Sequence, residues 1–130
     1  MDNSKTNTSA NAQIDEKELE IAQEEAKEEG RDTFVHKFKK PFEYNGKKYE
    51  HFEFDFNSLT GGDSLAVEEE IQREGKGVVV VGAFNSEYLI RIAARACLEP
   101  ISYDAFKYMS LFDYNKIRDR TRNFLLRSEQ

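Results

Sequence analysis

Tryptophan is absent from this 130-residue chain, histidine and proline occur twice each, and there is a single cysteine. A lone Cys97 excludes an intramolecular disulfide and suits a reducing compartment. His36 and His51 have no second cysteine and no carboxylate at ligand spacing beside them, so the sequence offers no metal-binding set. The most apolar run, Val78 to Val81, falls far short of the roughly 20 residues that cross a bilayer. The polar first residues lack the apolar stretch of a secretory signal. These absences lead to the expectation of a cytoplasmic protein with no membrane partner and no cofactor.

Charge is unevenly placed. Residues 1–32 carry ten acidic and four basic side chains, while the rest holds fifteen of each and sums to zero. All 16 aromatic residues also lie after residue 32. The first 32 residues therefore read as a flexible acidic leader with nothing to build a core, and 33–130 as a single folded domain. Ile14 to Glu29 has the composition of a helix with a thin Leu19, Ala22, Ala26 stripe, ended by Gly30, although a lone helix of that length is marginal in water. A solvated leader and a docking helix stay open as alternatives. No nucleic-acid partner is expected, because the body is electrically balanced and the leader repels phosphate.

The predicted fold class is α+β: an N-terminal β-hairpin, with a third short strand as an option, packed on about four α-helices. Asn45-Gly46 between two aromatic, β-rich runs predicts a two-residue turn, since both residues tolerate positive φ. That turn sets Tyr44 against Lys47, Glu43 against Lys48 and Phe42 against Tyr49. Farther out, Phe52, Phe54 and Phe56 have the opposite parity to Tyr49, so the register must break. One extra residue near Glu50-His51, placing Phe38 opposite Phe54, is the predicted bulge. Pro41 is expected at an edge or an irregularity, because it cannot donate to the ladder.

Asp63 or Ser64 is expected to cap a helix that buries Val67 and Ile71 and stops at Gly75. Val78 to Val81 reads as an extended strand or as an exposed adhesive segment. The last 45 or so residues read as three helices. Asn85 or Ser86 caps the first, Ser102 a short second carrying Phe106 and Met109, and Asp113 a third with Tyr114, Ile117, Thr121 and Phe124 along one side. Arg118, Arg120, Arg122 and Arg127 give the last helix a basic side, read either as a solvated face or as a binding surface.

Reactive constellations are scarce. Cys97 on an alanine-rich helix reads as a small core residue rather than a nucleophile. Thr60-Gly61-Gly62-Asp63 could hold an anion at a helix start, but it lacks the lysine of a phosphate loop and carries a repelling carboxylate, which favours a capping turn. Glu68-Glu69-Glu70 points its carboxylates in different directions on a helix and reads as a solvated face. No catalytic residues are expected.

The order Lys40-Pro41-Phe42, Tyr44, Gly46, Tyr49, Phe52, Phe54, Phe56, Leu59-Thr60-Gly61 and Asp63 resembles the small tail assembly chaperones of long-tailed phages and prophages. Glu87-Tyr88-Leu89, Ala93-Ala94-Arg95-Ala96 and Asp113 with Phe124-Leu125 continue the pattern over residues 38–126. The acidic leader lies outside it, and Cys97-Leu98-Glu99 stands where a glycine often follows the alanine stretch. The resemblance implies a non-enzymatic protein that coats the tape measure protein, keeps it soluble, helps tail tube subunits assemble around it and is missing from the mature virion. A structural tail component and an acidic phage-encoded inhibitor or adaptor are the alternatives.

A chaperone of many similar amphipathic helices needs tolerant apolar faces and charge that prevents precipitation. The residues that would meet a partner are Leu89, Ile92, Ala93 and Ala96, with Ile117, Arg118, Arg122, Phe124, Leu125 and Leu126 on the last helix. The competing reading of the alanine face is plain core, and Phe124 to Leu126 is the stretch expected to be exposed. Self-association through Val78 to Val81 or the last helix is a further expectation.

Overall fold

The structure, a computed structural model, describes Lys17 and residues 33–128. The chain divides into two units, Met1–Gly30 and Arg31–Gln130, and the hairpin and the helices after it belong to the second. Apart from Lys17, which is helical, the expected helix over Ile14 to Glu29 lies outside the described residues.

Two antiparallel strands, β1 (Thr33–Tyr44) and β2 (Lys47–Asp55), form the sheet. Asn45 and Gly46 both have positive φ, 54° and 76°, as the tight turn requires. Tyr44, Glu43 and Phe42 face Lys47, Lys48 and Tyr49 as expected. The register break falls on the other strand, however. Lys37 pairs with His51, so Phe38 to Pro41 in β1 stand opposite Glu50 alone, and Phe54 meets Phe34 rather than Phe38. Any odd offset restores the aromatic parity, and Pro41 decides which strand carries it. A residue without an N–H is best placed where the ladder is already broken, with Lys39 and Lys40 beside it in solvent and Phe38 turned inward.

Thr60, not Asp63, caps helix α1 (Gly61–Arg73); Asp63 occupies the third position and its carboxylate accepts the Thr60 backbone N–H at 2.8 Å. That hydrogen bond, with help from Arg95, holds the Asp63 carboxyl below its ordinary pKa. The helix ends as Gly75 enters the left-handed region (φ 72°), with Gly75 N–H bonded to Gln72 O and Lys76 N–H to Ile71 O. Val67 and Ile71 are fully buried. Val78 to Val81 form no third strand: β-branched residues favour extended backbone, yet no sheet edge meets them.

Helix α2 (Ser86–Ala96) starts at Asn85, whose side chain accepts the Tyr88 N–H at 2.9 Å. It ends before Pro100, because Cys97 is already extended and bridges to Phe54 while Leu98 N–H donates to Glu53 O at 2.8 Å. This segment blunts the free edge of β2. The short second helix is a 3-10 helix, Tyr103–Tyr108, that buries Phe106. Helix α3 (Leu111–Ser128) follows Ser110, whose hydroxyl accepts the Asp113 N–H at 3.2 Å, so Asp113 again sits inside the cap.

One core cluster joins the inward face of the hairpin to α2 and α3 through Phe34, Phe38, Phe42, Phe52, Phe54, Phe56, Phe106 and Ile117. A second, smaller one joins Val67 and Ile71 of α1 to Tyr88 and Ile92 of α2. Helix α2 lies between the two, which explains why Leu89, Ile90, Arg91 and Ile92 are buried in succession.

Candidate partner-binding surface

Val78, Val80, Val81 and Phe84 are exposed large apolar residues gathered in the α1–α2 connection. An apolar loop of this kind ordinarily collapses inward; here it is braced on both sides. At its start Lys76 Nζ pairs with Glu87 Oε2 at 3.2 Å, and Val79 packs against the second core cluster. At its end Gly82 lies flat against the Tyr88 ring, Ala83 is buried, and Arg122 Nε donates to Ala83 O at 2.8 Å. Val79 is half-buried, while Val78, Val80 and Val81 stay exposed.

An ion cluster missed by the sequence reading holds the helices on either side. Arg91 is 2% exposed, and its guanidinium donates to Glu74 (2.8 and 3.1 Å), Glu70 (3.2 Å) and Glu87 (3.1 and 3.2 Å). The Tyr103 ring covers its plane, 3.9 Å from Cζ to centroid. Arg95 adds pairs to Asp63 at 2.9 Å and Glu70 at 3.1 Å. The Glu74 hydrogen bonds raise the Arg91 pKa further, and Arg91 in turn lowers that of Glu74. Glu70, expected on a solvated face, is thus shared between two arginines. The i, i+4 spacing of Glu87 and Arg91 was the one sequence clue.

Of the residues expected to meet a partner, Leu89, Ile92, Ala93 and Ala96 are buried, at most 3% exposed, and form the core that was their competing reading. Ile117 is also buried. Phe124 is half-buried and stacks on Phe56 with ring centroids 5.0 Å apart; Leu125 packs against the second cluster, and Leu126 is half-buried too. The stretch expected to stand out is therefore largely tucked in, because its spacing continues the Ile117 and Thr121 stripe. The basic side of α3 is not open either. Arg118 and Arg122 pair with Asp119, Arg122 also reaches the loop, and Arg120 donates to Thr33 O at 3.1 Å.

Between β1 and α3, His36 Nε2 and Asp113 Oδ1 lie 2.8 Å apart with both residues buried, and Ser110 Oγ donates to Asp113 Oδ2 at 2.8 Å. Burial lowers the His36 pKa, outweighing the Asp113 carboxylate, so the imidazole is neutral at pH 7 and donates its Nε2 proton. The serine reaches the aspartate and not the imidazole, an arrangement that ties strand to helix and generates no nucleophile. Cys97 packs against the first core cluster, and burial pushes its thiol up to about 11. Among the described residues no three His, Cys, Asp or Glu are grouped to hold a metal ion, and no helix is long and apolar enough to cross a membrane.

No family model, curated protein or solved structure matches the chain.

Proposed function

We propose that this chain is a tail assembly chaperone of a phage or prophage, which binds the tape measure protein, keeps it soluble in the host cytoplasm and helps recruit tail tube subunits. The observation that carries this reading is the braced strip of Val78, Val80, Val81 and Phe84, apolar side chains held in water by a structured loop. A contiguous exposed apolar patch of this kind suits another polypeptide, and a short strip suits many similar amphipathic segments in turn. The order of hairpin and cap residues in the sequence supplies the phage context. The same strip is the surface for self-association, since Val78 to Val81 pair with no strand among the described residues.

Co-expression with a tape measure protein tests the reading. Val80→Asp with Phe84→Ser should leave the circular-dichroism melt within about 0.5 kcal/mol of the parent and send the tape measure protein to the pellet. Undiminished solubility with the double variant would refute the role of the strip. Recovery of the chain from purified particles would favour a structural tail component instead.

A further inference from the structure

A second exposed surface lies around the start of α3. Tyr108 and Leu111 are 67% and 71% exposed and Phe112 is 40% exposed. Tyr44 of β1 stands beside Tyr108, with ring centroids 6.2 Å apart. Phe112 is ten residues from Arg122, which on an α-helix sets this surface about 15 Å from the strip. Two ammonium groups approach the Phe112 ring, Lys39 Nζ at 4.2 Å and Lys116 Nζ at 5.5 Å. Among the described residues neither lysine has a carboxylate partner. Near α1 and α2, by comparison, Lys76, Arg91 and Arg95 are matched by carboxylates, while Arg73, among the described residues, is not. Asp113, next to Phe112 in the sequence, is already held by His36 and Ser110, and Asp119 pairs with Arg118 and Arg122.

We infer that this surface docks a short acidic segment of a partner protein, whose carboxylates meet Lys39 and Lys116 while its apolar side chains cover Leu111, Phe112 and Tyr108. The inference does not rest on the tail-assembly reading. Charge complementarity identifies the occupant, and the count of charges narrows it. Two ammonium groups are few for nucleic acid, with a charge about every 1.7 Å of duplex, or for an anionic bilayer, whose recognition takes clusters of roughly 4–8 basic residues. The net charge of −6 opposes both polyanions more than it opposes a segment with a few carboxylates. Such a segment draws most of its binding from the apolar side chains that it covers.

The test is an amide-shift titration of the full-length isotope-labelled chain. The probes are a helical peptide of Glu, Leu and Ala, its Lys-for-Glu counterpart, oligothymidylate and vesicles of anionic phospholipid. The Glu peptide should shift Lys39, Leu111, Phe112 and Lys116. Lys39→Glu with Lys116→Glu should weaken it about tenfold or more and let the Lys peptide bind instead. Leu111→Ser, which keeps both charges, should weaken the Glu peptide as well. Equal binding of the Glu peptide to the charge-reversed variant, shifts confined to other residues, or a response at these amides only to oligothymidylate or vesicles would overturn the inference.

Discussion

Replacing Gly82 by alanine puts two opposed effects into one measurement. The φ of Gly82 is not in the left-handed region, so alanine is allowed there by the backbone. On chain entropy alone the change should stabilise the fold by about 0.4–1 kcal/mol. Packing says the reverse. A Cβ built at Gly82 would stand 2.7 Å from Cε2 and 2.9 Å from Cδ2 of Tyr88, against the roughly 3.5–4.0 Å of comfortable carbon contact. The ring cannot simply retreat: Tyr88 is 6% exposed, packs with Val67, Ile71 and Ile92, and its hydroxyl lies 2.6 Å from Ser64 Oγ. Overpacking of this kind costs about 1–3 kcal/mol, which exceeds the entropic gain, so the net change should be destabilising. In a domain of this size that lowers the melting temperature by several degrees. Urea unfolding of the parent, Gly82→Ala, Tyr88→Leu and the double variant closes a double-mutant cycle. The penalty should vanish once the ring is gone. A neutral or stabilising Gly82→Ala, or the same cost without the ring, would refute the close-approach argument and with it the bracing of the exposed strip.

Other expectations follow from the ion cluster, the buried imidazole and the strip. Arg91→Ala should cost about 3 kcal/mol, the low end for breaking a buried ion pair, because its carboxylate partners keep access to water; chemical denaturation within 1 kcal/mol of the parent would argue against the cluster as the α1–α2 clamp. The His36 pKa is lowered on folding from 6.5, so the unfolded chain takes up the proton first. Stability is then fully present above about pH 6.5 and is lost as pH falls from there through the lowered folded value. Denaturation at pH 7.5 and pH 5.0 should show that loss, and His36→Gln should reduce it; a parent that gains stability on acidification would contradict the assignment. Sedimentation velocity should show concentration-dependent association that Val80→Asp removes, and a constant monomer mass for the parent would dismiss self-association through the strip.

Much of the fold was legible because it depends on local chemistry. Asn45-Gly46 dictates a turn with two positive φ angles, Gly75 a helix stop, and the spacing of Val67 with Ile71 and of Ile117 with Thr121 two buried stripes. The need for a register break was equally plain from the parity of Phe52 and Phe54 against Tyr49. Its placement was not, because an extra residue in either strand satisfies parity, and only the packing of Phe38 under the hairpin beside Pro41 distinguishes them. Residues of the candidate surface fared worse. Leu89, Ile92, Ala93, Ala96 and Phe124 have the same apolar pattern whether a helix faces core or partner, and the pattern cannot say how many neighbours crowd around it.

The amino-acid order by itself determined the hairpin turn, the Asn85 start of α2, the Gly75 stop of α1 and the charge-balanced body, since each depends on residue type or on neighbours a few positions away. Tertiary structure alone decided that Val78 to Val81 has no strand to join, that Arg91 is enclosed by Glu70, Glu74, Glu87 and Tyr103, and that Phe84 stays outside while Phe124 turns in. These outcomes turn on contacts between segments far apart in the chain. Burial is a property of the assembled surroundings, and no local pattern of side chains specifies it.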